Sequence, residues 1–272
     1  MDEITAEYES GQLATVEPLR VRPRVTIGCK TDLGRVRENN EDKFEYYIPE
    51  DEALLAARGM IFLVCDGMGG HAAGQIASEL TAKTFIDVYL HHPSSQPDVA
   101  MSAAVLAANR FVNEVGRAVP ARSGMGTTLS GLIMIQDRAY TVQVGDSRVY
   151  RLRDGDLEQL THDHTWVDEA IRNGVLREEQ AADHPYKHVL TRAIGTEGDV
   201  QPDVELHDVR AGDVFLLCSD GLINHVPDAA LADALRSAPS EAAWKLVGLA
   251  LLDGGSDNCT VLIVRVDDLE QL

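Results

Sequence analysis

The sequence predicts an α+β fold in which two stacked antiparallel β-sheets are flanked by helices on both sides. Three observations lead there. MIFLVC (60–65) and VFLLC (214–218) are unbroken apolar runs, the pattern of strands buried on both faces. Between residues 129 and 161, four strand-like stretches are joined by the tight turns QDR, GDS and DGD, which builds an antiparallel meander and not a βαβ ladder. Long helical patterns are few beside so many strands, and an apolar sheet face must be buried against another layer.

In chain order, residues 1–22 are acidic with weak periodicity and read as a flexible N-terminal arm, leaving 23–268 as a single domain. From Val25, VTIGCKT and then KFEYYI are rich in β-branched or aromatic residues and read as strands. MIFLVC follows, and after it GGHAAGQIASELTAKTFIDVYL, where Ile76, Leu80 and Val88 recur with helical period. A second helix starts near Asp98 and runs through MSAAVLAANRFVNEVG. The meander comes next: LSGLIMI, AYTVQV, RVYRLR and LEQLT. Residues 163–190 are polar, contain several histidines and read as short helical pieces. VFLLC is followed by helices over 228–237 and 241–252, the latter closed by Gly254 and Gly255, and CTVLIVRV is the last strand.

Composition narrows the function classes. The 272 residues carry 44 acidic and 24 basic side chains, a net charge of −20, which disfavours nucleic-acid binding. Cys29, Cys65, Cys218 and Cys259 form no CxxC pair and sit in apolar contexts, as buried thiols of a reducing compartment do. The first twenty residues hold no apolar signal core, and no apolar run approaches the ~18 residues that cross a bilayer. The expectation is a cytoplasmic chain without membrane contact.

Chemistry is sought where strands end. Asp66 and Asp220 close the two most hydrophobic strands, each followed by glycine. Asp146 lies in the hairpin turn VGDSR, Asp257 in GSDN before the last strand, and Glu41 and Asp42 in NNED before KFEYYI. Any one Asp-Gly is ordinary turn chemistry. A carboxylate closing a buried strand is costly unless a positive partner meets it, and few Lys or Arg stand nearby. A metal ion answers that need. Carboxylates and a carbonyl are hard oxygen donors that suit Mg²⁺ or Mn²⁺ rather than zinc. Carboxylates converging from several strands can hold two cations, and such a pair suits the hydrolysis of phosphate esters. Arg37, four residues before Glu41, can grip a phosphate bidentately.

Other patterns carry less. GMGGHA (67–72) has dinucleotide-loop spacing, with Asp87 downstream, but the second parallel strand is missing. CKTDLGR (29–35) matches the C-x₅-R spacing of a cysteine phosphatase, yet so does CTVLIVR (259–265), which is plainly a strand. His162, His164, His184 and His188 have spacings a zinc site could use, but read better as surface and hydrogen-bonding histidines. Neither a GxSxG elbow nor a P-loop occurs.

The ordered motifs TDLGRVRENNEDKF, FLVCDGMGGHAAGQIAS, GMGTTLSGLI, VQVGDSRVYRL, LTHDHTW, LTRAIGTE, LLCSDGLINHV and SDNCTVLIV make the chain resemble the metal-dependent serine/threonine protein phosphatases of type 2C (the PPM family), in their bacterial form. The resemblance runs from about Val25 to Val266 and implies hydrolysis of phosphoserine and phosphothreonine by a metal-activated water at a binuclear Mn²⁺ or Mg²⁺ centre. It implies that Asp66 bridges both metals, that the Gly67 carbonyl binds the second, and that Asp220 and Asp257 complete the first. Glu41 and Asp42 match the family's acidic pair, Asp146 with Asp220 a third-metal site, and Arg37 the phosphate-binding arginine. Residues 163–190 match the flap that borders the cleft. The implied partners are phosphorylated substrates of a serine/threonine kinase, met by a monomer. One departure stands out: Met68 occupies the position where animal members carry a histidine proposed as general acid. His71 is not assigned that role, and a water on the metal is the alternative donor. A pseudophosphatase that only binds phosphoproteins would be expected to lack a strand-end Asp, and Asp66, Asp220 and Asp257 are all present.

Overall fold

The computed structural model describes residues 18–70, 72–181, 184–195 and 198–272. One five-stranded antiparallel sheet is formed, in spatial order, by β1 (Val21–Asp32), β12 (Cys259–Gln271), β11 (Val214–Cys218), β8 (Arg148–Arg153) and β9 (Asp156–Gln159). The other is formed by β10 (Asp203–Asp208), β7 (Arg138–Val144), β6 (Leu129–Ile135), β3 (Met60–Cys65) and β2 (Lys43–Tyr47). A two-residue pair, β4 (Gly67–Met68) with β5 (Gly126–Thr127), adjoins the end of β3.

The unbroken apolar runs follow from the layering. In β3, Phe62 and Val64 point between the sheets, where they meet Phe215 and Leu217 of β11 and Leu262 and Val264 of β12. Ile61, Leu63 and Cys65 point the other way, onto α2 (Ala72–His91) and α3 (Pro97–Ala118), through Phe85, Tyr89 and Met101. On the far side Leu216, Cys218 and Ile263 pack on α6 (Asp228–Ala234) and α7 (Pro239–Leu252), through Leu231 and Leu246. Both faces of the central strands are therefore dry, and each fully buried Leu, Ile or Phe contributes roughly 1.5–3 kcal/mol. The architecture is the expected α+β arrangement of stacked antiparallel sheets covered by helices.

Several boundaries differ from the sequence reading. β1 begins at Val21 and pairs with β12 along its whole length, from Val21 opposite Gln271 to Asp32 opposite Cys259. The arm predicted for 1–22 thus ends sooner, and β12 outlasts the predicted limit at 268; residues 1–17 of the arm lie outside the described residues. The elements not anticipated include α1 (Glu52–Arg58), capped by Asp51, and the edge strand β10. α4 (Trp166–Arg172) and α5 (Asp220–Ile223) complete the helices used below.

Candidate metal centre

The predicted acidic residues meet at one end of the stacked sheets, where β3, β11 and the β7–β8 turn stop and β12 starts. Arg37, Glu41, Asp66, Gly67, Asp146, Asp220 and Asp257 line one cleft of about 630 Å³. Asp42 lies behind its wall: Ser219 Oγ donates to Asp42 Oδ2 at 2.7 Å, and Oδ1 is buried without a hydrogen-bond partner.

Asp66 and Glu41 are fixed through their backbones. The Asp66 N–H donates to Thr128 Oγ1 at 2.9 Å, while Thr128 N–H and Thr127 Oγ1 donate to the Asp66 carbonyl at 2.9 and 2.8 Å. Gly67 has no room for a side chain, since a Cβ there would stand 2.2 Å from the Gly74 carbonyl oxygen. Gly74 itself makes space for Glu41, whose Oε2 would be 2.0 Å from a Cβ at that position. Asn258 ties the acidic loops together. Its Oδ1 accepts from Glu41 N–H at 2.8 Å, and its Nδ2 donates to the carbonyls of Leu33 and Asn39 at 2.9 and 3.0 Å. Asp220 opens α5, and Asn224, one turn on, donates to its Oδ2 at 3.2 Å.

The electrostatics are those of like charges crowded into protein. Burial first, then the charges of Asp42, Asp220, Asp146 and Asp257, hold the Asp66 carboxyl well above the usual carboxylate range. Burial likewise pushes Asp42 up to about 7 against the opposing hydrogen bond from Ser219, and Asp146 up to about 7 with help from Asp220. Asp220 is raised by burial and by Asp257, and its Oδ1 is buried without a partner. The basic side chain closest to the cluster is Arg37, whose Nη2 donates to Asp257 Oδ2 at 2.6 Å. That hydrogen bond raises the Arg37 pKa, so the guanidinium predicted to grip phosphate is engaged with a predicted metal ligand.

Among the described residues, no three His, Cys, Asp or Glu side chains already stand at metal-binding geometry about one point. The fit of a divalent cation rests on the donors. They are all oxygens, the buried Asp220 Oδ1 is orphaned, and their mutual repulsion is what a doubly charged ion relieves. The residues fit hard cations.

The remaining candidates separate cleanly. His164 is buried: its Nδ1 accepts from Gly145 N–H at 3.2 Å, its Nε2 lies 3.1 Å from Asp203, and burial lowers its pKa. His184 stacks on Trp166 at 4.8 Å between ring centroids, and His188 lines the cleft, so these histidines form no common site. His71 lies outside the described residues. Cys65, Cys218 and Cys259 are buried free thiols, and burial also raises the half-buried Cys29, against any nucleophilic use of C-x₅-R. The segment 163–190 is closed at its base, where Trp166 N–H donates to Val189 and Thr191 N–H to His164, both at 2.8 Å. From it Lys187, His188 and Leu190 reach the cleft. Sequence reasoning missed Thr127, Thr128, Gly74, Ser219 and Asn258. The strings GTTLSG and SDN contain three of them, but their partners lie far along the chain.

Known proteins resemble the chain in sequence and in fold. The family model for protein phosphatase 2C matches residues 35–245. The serine/threonine protein phosphatase PstP of Mycobacterium tuberculosis is 37% identical over 252 residues, covering 91% of this chain and 47% of the relative, so the chain spans about half of that protein's length. The serine/threonine phosphatase stp of Listeria innocua is 36% identical over 242 residues, covering 87% of this chain and 94% of the relative. The solved catalytic domain of the serine/threonine protein phosphatase PstP in complex with two manganese ions superposes with a TM-score of 0.76 at 36% identity, covering 90% of this chain and 99% of that one. By motif order, fold and relatives alike, the chain belongs to the protein phosphatase 2C family.

Proposed function

We infer that the chain hydrolyses phosphoserine and phosphothreonine in proteins at a binuclear Mn²⁺ or Mg²⁺ centre. The observation that carries this reading is the convergence of Asp66, Asp146, Asp220 and Asp257 from separate strand ends onto one cleft, with Asp66 held above its ordinary pKa by burial and then by its neighbours. A pair of divalent cations supplies an activated water and neutralises phosphate charge. Asp66 would be shared between the two ions, the Gly67 carbonyl would serve one, and Asp220 and Asp257 the other. Asp146 with Asp220 would offer a third site. Glu41 borders the cleft. Asp42, behind the wall, would orient the cluster through Ser219.

The chain's own residues handle the substrate. Arg37 binds the phosphate, and leaves Asp257 at least in part to do so. Lys187 adds positive charge from the flap, and His188 lines the cleft beside it. The 163–190 segment acts as a flap that meets protein substrates, and the exposed Tyr186 with Trp166 and His184 is the surface it offers them. The chain from β1 to β12 acts as one domain, and the free buried thiols suit a cytoplasmic enzyme paired with a serine/threonine kinase. Among the described residues no helix is long and apolar enough to cross a membrane. A binding-only pseudophosphatase is disfavoured because every strand-end Asp is retained.

The test is p-nitrophenyl phosphate hydrolysis by metal-stripped protein. The expected outcome is no turnover in EDTA and full turnover when Mn²⁺ or Mg²⁺ is restored; full activity in metal-free buffer would sink the reading.

A further inference from the structure

The loop that presents Asp257 contains consecutive glycines, Gly254 and Gly255, at φ +135° and +56°. Glycine tolerates these angles, and it also gives the loop more freedom to lose than other residues would. After Asp257 the chain is fastened by Asn258. Before it, Arg35 N–H donates to the Gly255 carbonyl at 2.8 Å and Gly255 N–H to the Ala250 carbonyl at 3.0 Å, and the side-chain fastening comes from a residue with no part in the site reading so far. His225 follows α5, the short helix that begins with Asp220, and only 11% of its side chain is exposed. Its Nδ1 stands 3.0 Å from Asp253 Oδ2, and its Nε2 stands 2.8 Å from Ser256 Oγ and 3.2 Å from the Ser256 backbone nitrogen. A backbone N–H can only donate, so Nε2 is an acceptor. The ring is therefore the neutral tautomer, with its proton on Nδ1 and directed at Asp253. Both ring nitrogens are spent on the same loop.

We propose that His225 is a positioning residue of the metal centre. By holding Asp253 and Ser256 on either side of the two glycines, it fixes that loop against α5 and sets the place of Asp257 relative to Asp220. The proposal rests on the reading of these two aspartates as ligands of one cation. A loop already ordered does not have to be ordered when the ion binds, and that saving appears as affinity. Asp253, His225 and Ser256 also stand in the order of a hydrolase triad. Here, however, the Ser256 N–H that could help form an oxyanion hole is donated to the histidine, so the arrangement is a clamp and not a nucleophile.

The experiment is calorimetric titration of MnCl₂ into metal-stripped protein, for wild type, His225→Ala, His225→Gln, His225→Asn and Ser256→Ala, with melting temperatures recorded in EDTA. Loss of a partner that orients a ligand typically weakens metal binding 10–100-fold. His225→Ala should therefore bind Mn²⁺ at least about tenfold more weakly at an unchanged EDTA melting temperature, with kcat recovering at saturating Mn²⁺. Gln offers an acceptor where Nε2 stood and should recover most of the affinity. Asn, too short to reach Ser256, should not, and Ser256→Ala, which keeps the backbone donor, should lose only a few-fold. Should His225→Ala not fold, the Gln and Asn pair decides alone. Equal Mn²⁺ affinity in folded His225→Ala and wild type, or Gln no better than Asn, overturns the clamp. A wild-type protein that binds no Mn²⁺ overturns the metal-centre reading itself, and the clamp with it.

Discussion

Asp66 is held from behind by two threonines and faces four other carboxylates, which makes it the residue whose charge matters most. Asp66→Asn should lower turnover by more than about 100-fold, since even partners outside the ligand set cost 10–100-fold. Asp146→Asn should stay within about tenfold of wild type; equal losses in the two variants, measured on p-nitrophenyl phosphate, would contradict the shared-ligand role. Arg37→Ala should raise KM roughly tenfold, and Arg37→Lys should restore only part, because lysine keeps the charge and loses the fork. Removing Arg37 also frees Asp257, so Mn²⁺ affinity should hold or rise and not fall. Asp66 and Asp220 were legible in the sequence because a charge directly after a wholly apolar strand is a local anomaly. Asn258, Thr128 and Gly74 were not, because what they do is defined by contacts with Glu41, Asp66 and Gly67, which local pattern does not report.

At the scale of elements, the central strands were readable and the edges were not. MIFLVC announces itself because it is dry on both faces. β10, DVELHD, pairs with β7 on one side only, leaves Leu206 exposed and carries acids, so nothing in its composition marks it. α1 is seven residues long and rests on its Asp51 cap and its fit against the sheet more than on propensity. Phe62→Ala, emptying the space between the sheets, should cost about 3–5 kcal/mol in a urea melt. The flap should behave oppositely. Tyr186→Ala and Glu178→Ala sit on its surface and should alter rates on phosphopeptides while leaving p-nitrophenyl phosphate rates nearly constant. Arg172 is less informative than its sequence position suggested, since it is paired with Asp168 at 2.9 Å. Flap variants that slow both substrates alike would mark the segment as scaffold.

For the whole molecule, the acidic cluster links folding, pH and metal. Asp42 and Asp146 have folded pKa values raised from 3.8 to about 7, so between those limits the folded state binds more protons than the unfolded one. Stability in EDTA should therefore fall as pH rises from about 4 to 7 and then level off. Divalent cations bind the deprotonated carboxylates, so with Mn²⁺ present the melting temperature should rise over the same range. Calorimetric titration of Mn²⁺ into the metal-stripped chain near pH 7, repeated in buffers of different ionisation enthalpy, joins these strands. It should report two tight sites and a net release of protons, both abolished or reduced to one weak site in Asp66→Asn. Two tight sites unaffected by that substitution, or no tight site in the wild-type chain, would contradict a binuclear centre built on Asp66.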